Sequence, residues 1–341
     1  MEKAEHEKLY NYLQQKLDVH NEPLELLQYK GGYSNLTYLL KIGQLEMVLR
    51  RPPLGLKISR AHDMIREYNI LEALKKAGYT KIPNPIHSCE DETIIGAPFY
   101  LMEKVDGLIL RNEMPEGKNL TPEYFRKLSK NTLDELLDLH QLDLHASGLD
   151  QMGKPEGFVE RQVSGWSKRY FNAKTDALKE MDKVSDWLLS NLPDKEYTAF
   201  IHNDFKYDNL VLTGIDEPEI KAVLDWEMAT VGDPLMDLGT SLAYWAEEND
   251  PPIMKRFNLT HPKGNFTREE VIEYYSSKSS LDLSNILFYY VFGMFKVGVI
   301  AQQIYKRYHE GFAPDPRFAS LIHVVRACGI TALNSIKTNK I

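Results

Sequence analysis

FIHNDFKYDNLVLTGIDEPEIKAVLDWEMATVGDPLMDLG, residues Phe200 to Gly239, alternates short apolar runs with polar loops. Its order reads as strand, polar loop, strand, turn, strand, polar loop and helix start. Three features punctuate it: His202-x-Asp204, then Asn209, then Asp225 after the apolar Ala222-Val223-Leu224. A metal-dependent phosphoryl transfer needs a carboxylate beside the incoming hydroxyl and oxygen ligands for Mg²⁺ next to the phosphates. Asp204, Asn209 and Asp225 meet that need from two loops joined by the hairpin between them. Singly, each has another reading, because Asp and Asn near strand ends form turns by bonding their own backbone. It is the ordered set that points to chemistry.

Working outward, residues 24 to 50 read as three strands, LELLQY, LTYLLKI and LEMVLR, the first two separated by GGYSN. Gly31 and Gly32 lie between two strands and open no helix, which disfavours a Walker or Rossmann phosphate loop. A glycine hairpin can instead fold over phosphates, with Ser34, Asn35 and Thr37 adding donors. It is also ordinary hairpin chemistry. Arg50 ends the third strand before Pro52-Pro53, and residues 61 to 77 carry apolar positions at a helical spacing, Met64, Ile65, Tyr68, Leu71 and Leu74. Glu67, on the flank of that stripe, is placed to pair with Arg50 and aim its fork at bound phosphates. Two solvated surface charges are the other reading, and a bulge would make Arg51 the inward residue. IIGAPFYLM (94–102) is expected as a final strand pair. Glu103 to Gly107, with Glu103 and Val105 offering backbone groups to an adenine edge, then cross into a helical region. There, 121–144 has a helical stripe, and His140 and His145 read as ordinary helix residues.

The composition, 43% hydrophobic and 26% charged over 341 residues, is that of a globular chain with ample core. A formal charge of −8 argues against nucleic acid, which demands clustered Lys and Arg. Cys89 and Cys328 fit no metal or redox spacing and read as free buried thiols of a reducing compartment. MEKAEHEKLYNYLQQ is a charged helical pattern without the apolar core of a signal peptide, so a cytoplasmic location is expected. ILFYYVFGMFKVGVIA (286–301) is short of the ~20 residues that span a bilayer, and a buried helix with no membrane partner is expected.

HNDFKYDN, LDWE and GDPLMDLG together resemble the catalytic loop, metal-binding strand end and following helix of the aminoglycoside phosphotransferase and choline kinase-like group. VLRRPP, REYNILEAL, IIGAPFYLMEKVDG and VLDWEMATVGDP are similar to kinase-like domains fused to, or encoded beside, acyl-CoA dehydrogenases. The resemblance, over about residues 24 to 310, implies an α+β, two-lobed protein-kinase-like fold. A small antiparallel-sheet lobe with one helix (1–104) would carry the nucleotide, and a larger helical lobe (105–341) the catalytic loop and acceptor. It implies ATP and Mg²⁺ as cofactors, and phosphorylation of a small-molecule hydroxyl, that of a hydroxyacyl chain as its CoA thioester. Asp204 would deprotonate that hydroxyl and Lys206 face the γ-phosphate. Asn209 and Asp225 would hold Mg²⁺, Gly31 to Thr37 would cover the phosphates, and His202 and Asp237 would be architectural. Arg50 stands where the family usually has lysine.

Eleven residues separate Asp225 from Asp237 with no Ala-Pro-Glu motif, which favours a small molecule over a protein as acceptor. The helical region 284–309 and EENDPPIMKRFN are expected to build that acceptor's site. Lys255, Arg256, Lys296, Lys306 and Arg307 are candidates to meet CoA phosphates, with surface solvation the other reading for most. A nucleotide-binding pseudokinase, a kinase of choline- or aminoglycoside-like acceptors and a metal-dependent hydrolase are the alternative functions.

Overall fold

A computed structural model describes residues 3–17, 19, 22–29, 35–53, 63–313 and 315–341. The sheet-bearing lobe runs α1 (Lys3–Lys16), β1 (Leu24–Gln28), β2 (Leu36–Ile42), β3 (Leu45–Arg51), α2 (Met64–Lys76), β4 (Pro85–Cys89), α3 (Glu92–Ile95) and β5 (Phe99–Glu103). The helical lobe opens with α4 (Pro122–His140), α5 (Leu144–Ser147), α6 (Phe158–Ala173) and α7 (Lys179–Ser190). Then come β6 (Ala199–Ile201), β7 (Leu210–Leu212), β8 (Ile220–Val223), β9 (Thr230–Gly232) and α8 (Pro234–Tyr244). The chain ends with α9 (Arg268–Lys278), α10 (Ile286–His309) and α11 (Leu321–Thr338). This is the α+β, two-lobed architecture expected.

Five strands pair antiparallel in the order β1-β2-β3-β5-β4. Side chains alternate between its faces. Met47, Leu49, Phe99 and Leu101 pack outward under Leu9 and Leu13 of α1, while Val48, Tyr100 and Met102 pack inward with α2 and the helical lobe. β2 and β3 pair without a bulge from Leu36↔Arg51 to Ile42↔Leu45. The alternation therefore puts Arg50 on the inner face with Val48 and Arg51 on the outer.

Three expectations change. Where the resemblance implied a sheet lobe with one helix, α2, that lobe also holds α3 and the helix read at the N-terminus, α1, which covers the outer sheet face. The stretch 94–102 is not a strand pair: Asp91 caps α3 by accepting from Thr93 N, Gly96 closes it at φ 75°, and β5's partner β4 lies upstream. The apolar run at 286 continues as a helix through a polar last turn to His309, and it and the 316–338 stretch are each long and apolar enough to cross a bilayer by length and composition. Buried among other helices over 78% of its apolar window, α10 is a core helix.

α10 crosses α8 at glycine contacts. A Cβ on Gly239 would stand 2.2 Å from the Tyr289 carbonyl oxygen, and one on Gly293 2.2 Å from that of Gly239. No backbone relaxation is cheap there, since both obstacles are main chain. Gly239→Ala should cost about 1–3 kcal/mol through overpacking. Gly165→Ala, in mid-helix with nothing within 4 Å of the new Cβ, should stabilise by roughly 0.5–1 kcal/mol. Urea denaturation of the two variants checks the contrast.

Candidate active site

The loop that carries Asp204 leaves β6 at Ile201 and is held from below by one carboxylate. Asp237, in the first turn of α8 and fully buried, accepts from His202 N at 2.7 Å and Asn203 N at 2.8 Å. Burial alone would raise its pKa. The bond from His140, the nearby imidazoles and the His202 backbone bond hold it below the usual carboxylate range. Asn203 takes a left-handed φ of 68°, which asparagine tolerates, and its side chain donates to the Met228 carbonyl at 3.0 Å. The buried His202 ring is architectural as expected. Its Nε2 meets the Leu224 carbonyl at 2.9 Å, so Nε2 carries the proton, and Nδ1 accepts from Asp204 N at 3.2 Å. The ring also packs 4.7 Å from Trp226.

Asp204 emerges from this frame with its Oδ2 engaged twice, by Lys206 Nζ at 2.9 Å and by Asn209 Nδ2 at 3.1 Å. Asn209 Nδ2 also donates to the Asp204 carbonyl at 2.9 Å, which turns the amide oxygen away from Asp204. Lys206 lies 4.7 Å over the Tyr244 ring. Burial would lower the Lys206 pKa, but the Asp204 carboxylate beside it raises it well above the ordinary range. Burial first, then the same carboxylate, push the Tyr244 hydroxyl up, so it stays a donor. The backbone joins the two loops, because Leu224 N donates to the Asn209 carbonyl at 2.8 Å. Asp225 follows at φ 67°, ψ 63°, a strained conformation for a non-glycine residue, with its side chain still 37% exposed.

From the sheet lobe, Arg50 reaches three carboxylates. It pairs closely with Glu67 and lies 3.3 Å from Asp225 Oδ1 and 3.5 Å from Glu227 Oε2. Glu67 is itself on the buried face of α2 and not on its flank, and burial raises its pKa against the pull of Arg50. Burial works against the Arg50 charge too, yet the surrounding carboxylates, Glu67 first, keep it cationic. One guanidinium among three carboxylates leaves negative charge around the exposed Asp225, and with the Asn209 amide oxygen the donors suit a hard divalent cation. Arg51, on the other face, approaches the Pro52 carbonyl at 3.4 Å. Asn35 turns its amide to Glu227 Oε2 at 2.8 Å. Gly31, Gly32 and Ser34 lie outside the described residues. Glu103 bonds Asn84 through Oε2, at 2.5 Å, and through its own N–H, and half-buried Val105 follows in the crossing to the helical lobe.

Residues 25–268 match the phosphotransferase enzyme family. The chain belongs to that family. It is 36% identical to acyl-CoA dehydrogenase family member 10 of Mus musculus over 310 residues, 89% of this chain and 28% of the relative. It is also 36% identical to family member 11 of Rattus norvegicus over 86% of the chain and 38% of the relative. The chain thus spans between a quarter and two fifths of these curated relatives. A putative aminoglycoside phosphotransferase from Ralstonia eutropha superposes with a TM-score of 0.82 at 29% identity, covering 97% of this chain and 98% of that one. A choline kinase from Cryptosporidium parvum, at 13% identity and TM-score 0.64 over 97% and 95%, shares the fold.

Several residues of this phosphotransferase carry roles that no sequence pattern marks. His140 is no ordinary helix residue: buried, it bridges Tyr275 at 2.8 Å and Asp237 at 3.2 Å. Its spacing on α4 carries no signal, because both partners come from distant helices. Arg66 ties α2 to the segment after Asp225 by donating to the carbonyls of Ala229 at 2.5 Å and Glu227 at 3.3 Å. Of the five cations proposed for acceptor phosphates, Lys255 and Lys306 bond the Glu248 and Asn172 carbonyls, and Arg256 and Arg307 are exposed. Lys296 alone of the five meets the catalytic loop, donating to the Asn203 carbonyl at 2.5 Å from inside α10.

Desolvation lowers the Lys296 pKa from 10.5 to about 8, against the pull of Asp204 and Asp237 and with help from Lys206 and Arg169. Its stability contribution is therefore present above the unfolded value and lost as pH falls through the folded one. In that window the unfolded chain binds the proton that the fold has released. The stability of Lys296→Met relative to wild type should fall by about 3 kcal/mol as pH rises from 8 to 10.5. Paired urea melts across that range measure it, and a flat difference would mean an ordinary lysine.

Proposed function

We propose that this phosphotransferase moves the γ-phosphoryl group of Mg²⁺-ATP to the hydroxyl of a hydroxyacyl chain carried as a CoA thioester. The single observation that carries the kinase reading is the convergence on one cleft of Asp204, Lys206, Asn209, Asp225 and, from the other lobe, Arg50. Asp204 would take the hydroxyl proton as the acceptor oxygen bonds to the γ-phosphorus. The bond from phosphorus to the bridging oxygen breaks, and ADP leaves with its electron pair. Lys206 and Tyr244 orient the carboxylate, and Arg50, held by Glu67, supplies fixed positive charge where the phosphates would lie. Asn209 and Asp225 would hold Mg²⁺, which when bound neutralises phosphate charge.

The nucleotide itself is what the family implies, and a spectinomycin phosphotransferase of the same fold was solved with ADP. Its identity as ATP is part of the proposal. The thioester acceptor, and a functional link to an acyl-CoA dehydrogenase, draw support from relatives named for acyl-CoA dehydrogenases. The intact Asp204, Asn209 and Asp225 favour an enzyme over a pseudokinase, and no group of three His, Cys, Asp or Glu among the described residues forms the ligand cluster a hydrolase reading needs.

Purified protein with Mg²⁺-ATP should release ADP with hydroxyacyl-CoA thioesters and not with choline or aminoglycosides. Nucleotide binding without turnover of any acceptor would identify a regulatory module. Asp204→Asn should keep nucleotide affinity while turnover falls on the order of 10²–10⁴-fold. Asp225→Asn should weaken both, since it removes a proposed metal ligand and a partner of Arg50. Equal loss of nucleotide affinity in the two variants would reverse this division of roles.

A further inference from the structure

We propose that Arg169, lying on the face of Trp166 beside Lys296, docks an acidic group of the acceptor, a phosphate or a carboxylate. The inference rests on Asp204 as the residue that receives the acceptor hydroxyl. Trp166 and Arg169 stand one turn apart on α6, and the indole is 4% exposed. Two cations lean on it, the Arg169 guanidinium at 4.4 Å from the ring centre and Lys296 Nζ at 5.7 Å. Lys296 in turn bonds the carbonyl of Asn203, the residue before Asp204. Lys296 thus links the aromatic wall to the backbone that leads into Asp204.

The charges on this wall do not cancel. Lys206 already neutralises Asp204, and Asp237 is taken up by His140 and two backbone N–H groups. Among the described residues Lys296 meets a carbonyl and a ring, and no carboxylate in salt-bridge range. Arg169 is solvent-accessible and forms no ion pair or hydrogen bond among the described residues, and desolvation holds its pKa below the ordinary arginine value. A cationic acceptor would approach a net positive surface at short range, whereas an anion would gain from both charges. Stacking on indole also pre-orients the planar fork, which matches two oxygens of a carboxylate or phosphate.

The test is calorimetric titration of the full chain, with Mg²⁺ and a non-hydrolysable ATP analogue present. Coenzyme A, 3-hydroxybutyrate, pantetheine and choline serve as probes. Coenzyme A or 3-hydroxybutyrate should bind at least about tenfold more tightly than neutral pantetheine and cationic choline. Preference for coenzyme A identifies a phosphate, and preference for 3-hydroxybutyrate a carboxylate. Arg169→Gln should abolish the preference, Arg169→Lys should keep part of it, and affinity for the nucleotide analogue should be unchanged in both. The absence of any anion preference in the wild type, or its persistence in Arg169→Gln, overturns the proposal. Turnover of free hydroxy acids but not thioesters would end the thioester reading and leave this one standing. Thioester turnover with an unaltered KM in Arg169→Gln would do the reverse.

Discussion

Two adjacent backbone N–H groups, of His202 and Asn203, end on the buried carboxylate of Asp237, and the geometry of the active site descends from that pair of bonds. They pin the loop to the head of α8 and let Asn203 keep its left-handed conformation. Asp204 then leaves the loop in a direction that Lys206 and Asn209 can meet. A buried carboxylate is costly unless its lone pairs are filled, and here His140 completes the set. The close crossing of α8 and α10 at Gly239 and Gly293 holds the helix that carries Asp237, and the same α10 brings Lys296 under Asn203.

The second constraint is the charge balance around Arg50. A guanidinium pressed between Glu67, Asp225 and Glu227 ties the sheet lobe to the Asp225 side of the helical lobe. Arg66, the neighbour of Glu67 on α2, bonds the backbone that follows Asp225, so one helix controls the position of both Arg50 and that segment. Arginine suits this place better than lysine would. It keeps its charge when desolvated, and its fork serves two carboxylates at once.

Much of this arrangement is legible in the amino-acid sequence. The strand alternation, the helical stripes and the ordered His202, Asp204, Asn209, Asp225 and Asp237 are local patterns, and phosphoryl transfer restricts which residue types can occupy them. Local pattern also misleads: 94–102 has the apolar content of two strands, yet Asp91 and Gly96 cap a short helix that takes in Ile94 and Ile95. The choice between Arg50 and Arg51 needs the strand register, because adjacent residues on a strand face opposite sides and a single bulge would exchange them.

By itself, then, the sequence determined the kind of chemistry, through residue types in a set order, and the two-lobed architecture, through motifs that resemble a kinase-like family. Only the tertiary structure decided which charges meet. Arg50 and Asp225 are 175 residues apart and Lys296 and Asn203 93, and neither separation carries a pattern that marks a partner. Lys296 is one cation in an apolar run until the packing of α10 excludes water around it, and its ammonium then turns to the catalytic-loop carbonyl. His140 and Glu227 gain their roles in the same way. Burial makes an unsatisfied polar group costly, and the cost is set by neighbours that the chain brings together only on folding.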